Sequence, residues 1–113
     1  MTLITTPLPL QALKQMAAAG FGNMVKAVVD VERGVLAVDA ELHADLEARL
    51  LEEGSQPRAL WGINLYPALE GDEFVEFDSL INLRPSQGNP SRSVEDAGIR
   101  QTIRMLVHTL VPR

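Results

Sequence analysis

Cysteine is missing altogether from this chain of 113 residues. Disulfide scaffolds, thiolate zinc sites and thiol catalysis are excluded with it. Aromatic side chains are scarce: three phenylalanines, one tyrosine and one tryptophan. Each therefore matters to packing, and Trp61, Phe74 and Phe77 are read as core. No apolar run reaches the roughly 18 residues that a membrane-spanning helix needs, so no membrane partner is expected. Basic charge is also short. Ten Lys and Arg against fifteen Asp and Glu leave a net charge of −5. Phosphate contacts call for a basic surface, so nucleic acid is not expected as a partner. The first lysine is Lys14, after Pro7 and Pro9, and no signal peptide is read there.

What is present is ordinary for a folded chain: 46% apolar and 22% charged residues, which excludes wholesale disorder. The length fits one domain over residues 1–113, expected in the cytoplasm.

Periodicity gives the elements. Leu3-Ile4 reads as a short edge strand. Leu10, Leu13, Met16 and Ala17 fall at helical spacing behind Pro9 and ahead of Gly20 and Gly22, which predicts a helix over 9–19. Met24 to Val31 is valine-rich and reads as a strand. Glu32-Arg33-Gly34 is a turn, so a hairpin follows. In the second arm Leu36, Val38, Ala40 and Leu42 alternate with Asp39, Glu41 and His43. This strand is expected to run to about His43, with Asp45 capping a short helix over 45–53. Trp61 to Tyr66 and Phe74 to Leu83 also alternate and form a second hairpin around Glu70-Gly71-Asp72. Ser93 is read as the cap of a last helix buried through Ile99, Ile103, Leu106, Val107 and Leu110. The fold class is α+β: an antiparallel sheet of four to five strands from two hairpins. The N-terminal and C-terminal helices are expected on one face, with a short middle helix and the other face open to water.

Four stretches resemble a known family: Phe21-Gly22-Asn23-Met24-Val25-Lys26-Ala27-Val28-Val29-Asp30, Glu41-Leu42-His43-Ala44-Asp45, Trp61-Gly62-Ile63-Asn64-Leu65-Tyr66-Pro67 and Asn82-Leu83-Arg84-Pro85-Ser86-Gln87-Gly88-Asn89. Together they are similar to a family of small uncharacterised prokaryotic proteins, a domain of unknown function. In that pattern a glycine often precedes the Glu-Leu-His-Ala-Asp stretch, where this chain has Ala40. The resemblance implies a stand-alone domain in a bacterial or archaeal cytoplasm. It implies no activity, cofactor or catalytic residue.

Candidate sites follow from the alternation. Asp39, Glu41 and His43 would share one sheet face, with Asp45 beside them. Imidazole and carboxylates are what zinc, manganese or iron accept, and a carboxylate can hold His43 as a general base. The plain structural account is a solvated strand face. On the second hairpin Asn64 and Tyr66 would face Glu76, Asp78, Asn82 and Arg84, a set suited to a small polar ligand. The plain account is cross-strand pairing, such as Asp78 with Arg84 or Lys26 with Glu41. The loop from Arg84 to Ser93, with Asn89 in it, feeds a helix N-terminus, although Glu95 and Asp96 there oppose an anion. Arg100, Arg104 and His108 stand four apart on one helix face, which reads as a solvated face. Ser79 and Thr102 lack triad partners at meaningful spacing.

Two function classes remain. One is a non-enzymatic binding or self-associating protein, with a homodimer as the ordinary arrangement. The other is a ligand-binding protein or metal-assisted hydrolase. There His43 would be base or metal ligand, Glu41 and Asp78 its partners, and Asn64, Tyr66, Asn82, Arg84 and Asn89 the ligand contacts. The residues assign no metal and no cofactor.

Overall fold

Asp30 ends a run of valines, and its carboxylate builds the turn that follows. In the computed structural model, which describes residues 1–113, Asp30 Oδ1 accepts from Glu32 N at 2.9 Å and Arg33 N at 2.8 Å. Its other oxygen accepts from Ser55 Oγ at 2.6 Å. Gly34 supplies the left-handed residue of the turn, at φ 69°. The first hairpin is therefore as expected, with β2 at Val25–Asp30 and β3 at Val35–Val38. An edge strand, β1 at Thr2–Ile4, pairs antiparallel with β3. Between them α1 spans Leu10–Ala19.

The remaining elements are α2 at His43–Glu52, β4 at Leu60–Leu65, β5 at Val75–Glu76 and α3 at Ala97–Leu110. The strands form one antiparallel sheet in the order β1-β3-β2-β4-β5. On one face, Leu13 and Ala17 of α1 and Ile103, Val107 and Leu110 of α3 pack on Ala27, Val29, Leu36 and Ile63. Trp61 and Phe74 belong to this core, and Phe77 packs at its margin. The α+β class and the placement of the two outer helices agree with the sequence reading. No helix is long and apolar enough to cross a membrane.

Four expectations are corrected. The second arm of the first hairpin stops at Val38 rather than His43. Asp39 takes φ 72°, a left-handed conformation that aspartate tolerates better than most residues, and the strand cannot continue through it. Leu42, not Asp45, then occupies the cap position of α2. Secondly, the far face of the sheet is not left to water. Leu46 and Leu50 of α2 cover Val28, Ala37 and Leu60 there. Thirdly, the second arm of the second hairpin shrinks to Val75–Glu76. Fourthly, the cap of α3 is Asp96, whose Oδ1 accepts from Ile99 N at 2.9 Å, so Ser93 lies outside the helix.

The third correction has a local cause. After Asp78 the chain leaves the sheet edge and crosses over Gly62. A Cβ at Gly62 would stand 2.4 Å from both Cβ and Oγ of Ser79. In place of a neighbouring strand, the Asn82 amide pairs with the backbone of Gly62. Gly62 N donates to Asn82 Oδ1 at 2.8 Å, and Asn82 Nδ2 donates to Gly62 O at 2.9 Å.

Gly62→Ala should therefore destabilise the fold by about 1–3 kcal/mol, the usual cost of overpacking. Asn82→Ala should cost at least as much, since each buried polar group left unpaired costs about 1–3 kcal/mol. Urea unfolding checks both. A midpoint within error of wild type for either variant contradicts this account of the β4 edge.

Candidate functional site

The far face of the sheet has two halves. Under the body of α2 it is apolar. Toward the start of α2 it carries a polar row, because Lys26 pairs in register with Asn64, and Asn64 with Glu76. Glu76 Oε1 accepts from Asn64 Nδ2 and from the Tyr66 hydroxyl, each at 2.9 Å. Asn64 Nδ2 also reaches the Asp78 carbonyl at 3.2 Å. Asn64 is buried, and its Oδ1 has no hydrogen-bond partner. Tyr66 is held above its ordinary pKa, first by burial and then by its bond to Glu76.

His43 is the first residue of α2 and is brought over this row. Its Nε2 lies 2.8 Å from the Ile63 carbonyl. A carbonyl only accepts, so Nε2 carries the proton and the neutral ring keeps its lone pair on Nδ1. Burial lowers the pKa of the ring below its ordinary value. The Ile63 bond, Asn64 and Asp78 oppose that shift, and Lys26 adds to it. The ring is therefore neutral at neutral pH.

A cavity of about 170 Å³ opens beside it. Lys26 and Arg92 supply two cations, and Ser79 a hydroxyl. Leu42, His43 and Ala44 contribute the start of α2, and no carboxylate lines the cavity. No side chain caps this end of α2, so its first backbone N–H groups have no side-chain acceptor. Ser79 Oγ accepts from Ile81 N at 3.3 Å. Arg92 Nε donates to Asp78 Oδ1 at 2.7 Å.

Of the site residues singled out from sequence, His43 lines this cavity, and Asn64, Tyr66 and Asp78 lie in the polar row beside it. Glu41 does not join them; it is exposed and lines a neighbouring depression with Asp39. Arg84 is turned away. It stacks on Trp61 at 4.1 Å from the ring centroid and donates to the carbonyls of Leu60 and Ile81. Asn82 and Asn89 are buried and committed to backbone. Asn89 Nδ2 donates to the Asn82, Ser91 and Ser93 carbonyls, and its Oδ1 accepts from Glu95 N. Asp78 pairs with Arg92 rather than Arg84, and Lys26 lies 5.2 Å from the Phe21 ring centroid. On α3, Arg104 approaches Asp72 at 3.5 Å. No group of three or more His, Asp or Glu side chains is placed to hold a metal ion.

Sequence reasoning passed over Lys26 as a site residue and met Arg92 only as one of two arginines in the loop from Arg84 to Ser93, read toward the start of the last helix. Lys26 did carry a signal, being the only charge in the run Val25–Val29. The place of Arg92 beside His43 carried none, because it depends on the path of the chain over Gly62.

The lowered pKa of His43 fixes a sign. The unfolded chain protonates this histidine more readily than the folded one. The stability it leaves intact above about pH 6.5 is lost as pH falls from there toward the folded value. Wild type should therefore lose melting temperature between about pH 7 and pH 5 more steeply than His43→Gln, whose amide keeps the donor to Ile63 without titrating. Equal slopes in the two proteins would overturn the assignment of a depressed pKa.

No curated protein matches this chain, and no solved structure does. A family model for proteins of unknown function (DUF5674) matches residues 2–110, nearly the whole chain, and the chain belongs to that family.

Proposed function

We propose that this protein binds a small anionic ligand at the start of α2 and is a binding protein rather than a hydrolase. One observation carries the reading. In a chain of net charge −5, this cavity is lined by two cations, an imidazole, a hydroxyl and the uncapped start of a helix, and by no carboxylate. The two cations and the hydroxyl favour negative charge, and the helix start does so against Asp45, which stands in its first turn. Asp78 stands behind Arg92 and orients it. At about 170 Å³ the cavity holds an anionic group rather than a drug-sized molecule, for which roughly 300 Å³ is the lower bound.

Binding is favoured over hydrolysis by how the two reactive groups are held. The proton-bearing nitrogen of His43 is tied to a backbone carbonyl, not to Glu41 or Asp78. The Ser79 hydroxyl is occupied with the backbone N–H of Ile81. The cytoplasmic prokaryotic setting that the family resemblance implies belongs to this proposal.

Self-association is a second reading, favoured by β1. It is an edge strand paired on one side only, and a second copy can add to it across a two-fold axis. A monomeric mass in light scattering at high micromolar concentration would remove that reading.

The anion reading is tested by NMR titration with inorganic phosphate and with acetate. The amides of His43, Ala44 and Ser79 should shift saturably. Arg92→Gln should weaken binding by about tenfold or more, as expected for losing one charge-assisted hydrogen bond. Absence of saturable shifts, or equal affinity in the variant, would defeat the reading.

A further inference from the structure

A second cavity, of about 220 Å³, lies between the end of α1 and the start of β2. Its apolar wall includes Met16, Phe21 and Met24, and Asp39 and Glu41 line it as well, with Asp39 N donating to the Lys26 carbonyl at 3.2 Å. It is not independent of the His43 cavity. The connector between β3 and α2 walls both in sequence order, with Asp39, Ala40 and Glu41 on the first and Leu42, His43 and Ala44 on the second. Lys26 lines both. The residue they share is a flexible side chain with an apolar stem and a charged tip, and that tip lies 5.2 Å from the Phe21 ring centroid.

Size and chemistry both argue for one occupant across the two. Each cavity alone is smaller than the roughly 300 Å³ at which ligand sites begin, and joined past Lys26 they reach that range. The borders are apolar and exposed: Phe21 at 48%, Leu42 at 56% and Leu80 at 67%. A hydrated inorganic anion would leave this apolar surface in water. A molecule with a charged head and an apolar body would cover it.

We propose that the ligand is an amphiphile with a single anionic head, a carboxylate or phosphate on a linear apolar chain. Its head sits between Lys26 and Arg92. Its tail passes the Lys26 stem and lies against Met16, Phe21 and Met24, where the two thioether side chains adapt to its shape. Asp39 and Glu41 also line that second cavity and repel a second negative charge carried into it, so a diacid of the same length is rejected. This inference rests on the reading of the His43 cavity as an anion site.

Calorimetric titration with acetate, butanoate, hexanoate and octanoate, each kept below its micellar concentration, tests it. Affinity should rise by about threefold per added methylene, in line with the usual gain on burying that group. Hexyl phosphate should follow hexanoate, and adipate should bind at least tenfold more weakly than hexanoate. Phe21→Ala removes an exposed ring and leaves the core intact. It should flatten the rise with chain length. If acetate binds and affinity does not grow with chain length, the amphiphile is wrong and the anion site stands. An unchanged chain-length slope in Phe21→Ala, or adipate equal to hexanoate, also overturns it. If no member of the series binds, both the anion site and this inference fall.

Discussion

The outer edge of β4 is the constraint on which the rest of the molecule turns. A buried strand edge must have its N–H and C=O groups paired, and β5 pairs only with Asn64 and Leu65. Side chains complete the edge. The Asn82 amide takes both backbone groups of Gly62, and the Arg84 guanidinium takes the Leu60 carbonyl. Both residues must then lie close against β4, which demands the missing Cβ at Gly62 and puts Arg84 over the Trp61 ring. Asn89 in turn holds the carbonyl of Asn82. Polar residues that looked available to a ligand are thus used where a strand is absent.

The same chain path creates the site. Because residues 77–82 cross the far face instead of extending the hairpin, Ser79, Leu80 and Ile81 face the start of α2 across a gap, and that gap is the cavity. Ser79 N bonds to the Arg92 carbonyl at 3.0 Å, and Asn82 Nδ2 bonds to that carbonyl at the same distance. Arg92 is therefore fixed at its backbone by the edge-completing amide and at its side chain by Asp78. A strand running straight from Phe74 to Leu83 would have carried Asp78 and Ser79 along the sheet edge, away from His43.

The fold was legible in sequence wherever a single period governed a segment. The turn at Glu32–Gly34, the apolar stripe of α3 and the boundaries of α1 follow from local rules. Illegible were the places where two periods fit equally well or where a side chain replaced backbone. From Leu36 to His43 the alternation is real, yet it continues past the point where Asp39 turns left-handed. The positive φ falls on Asp39 itself, one residue before the position where the family pattern often has glycine. Phe74 to Leu83 also alternates, but a period of two records only which faces are wet and dry. It does not record whether the partner is a strand or an asparagine. The candidate site was legible in part for the same reason. His43, Asn64, Tyr66 and Asp78 were found from polarity, and they do converge. Lys26 escaped, and Arg92 was read only with the loop from Arg84 to Ser93, because its place beside His43 comes from the crossing of Gly62.

The break at Asp39 also decides what His43 can be. On a continuing strand the ring would have pointed into solvent beside Glu41, paired with a carboxylate and free to titrate near its ordinary value. As the first residue of α2 it is half-buried, and its ring is fixed by a main-chain carbonyl that cannot change charge. A carboxylate partner would stabilise the imidazolium and compete with any anion for it. A carbonyl partner fixes orientation without adding a carboxylate to the one, Asp78, that already pairs with Arg92. Two cations and an imidazole are thus brought to one cavity in an acidic protein without any excess of basic residues, by where one strand stops and one helix begins.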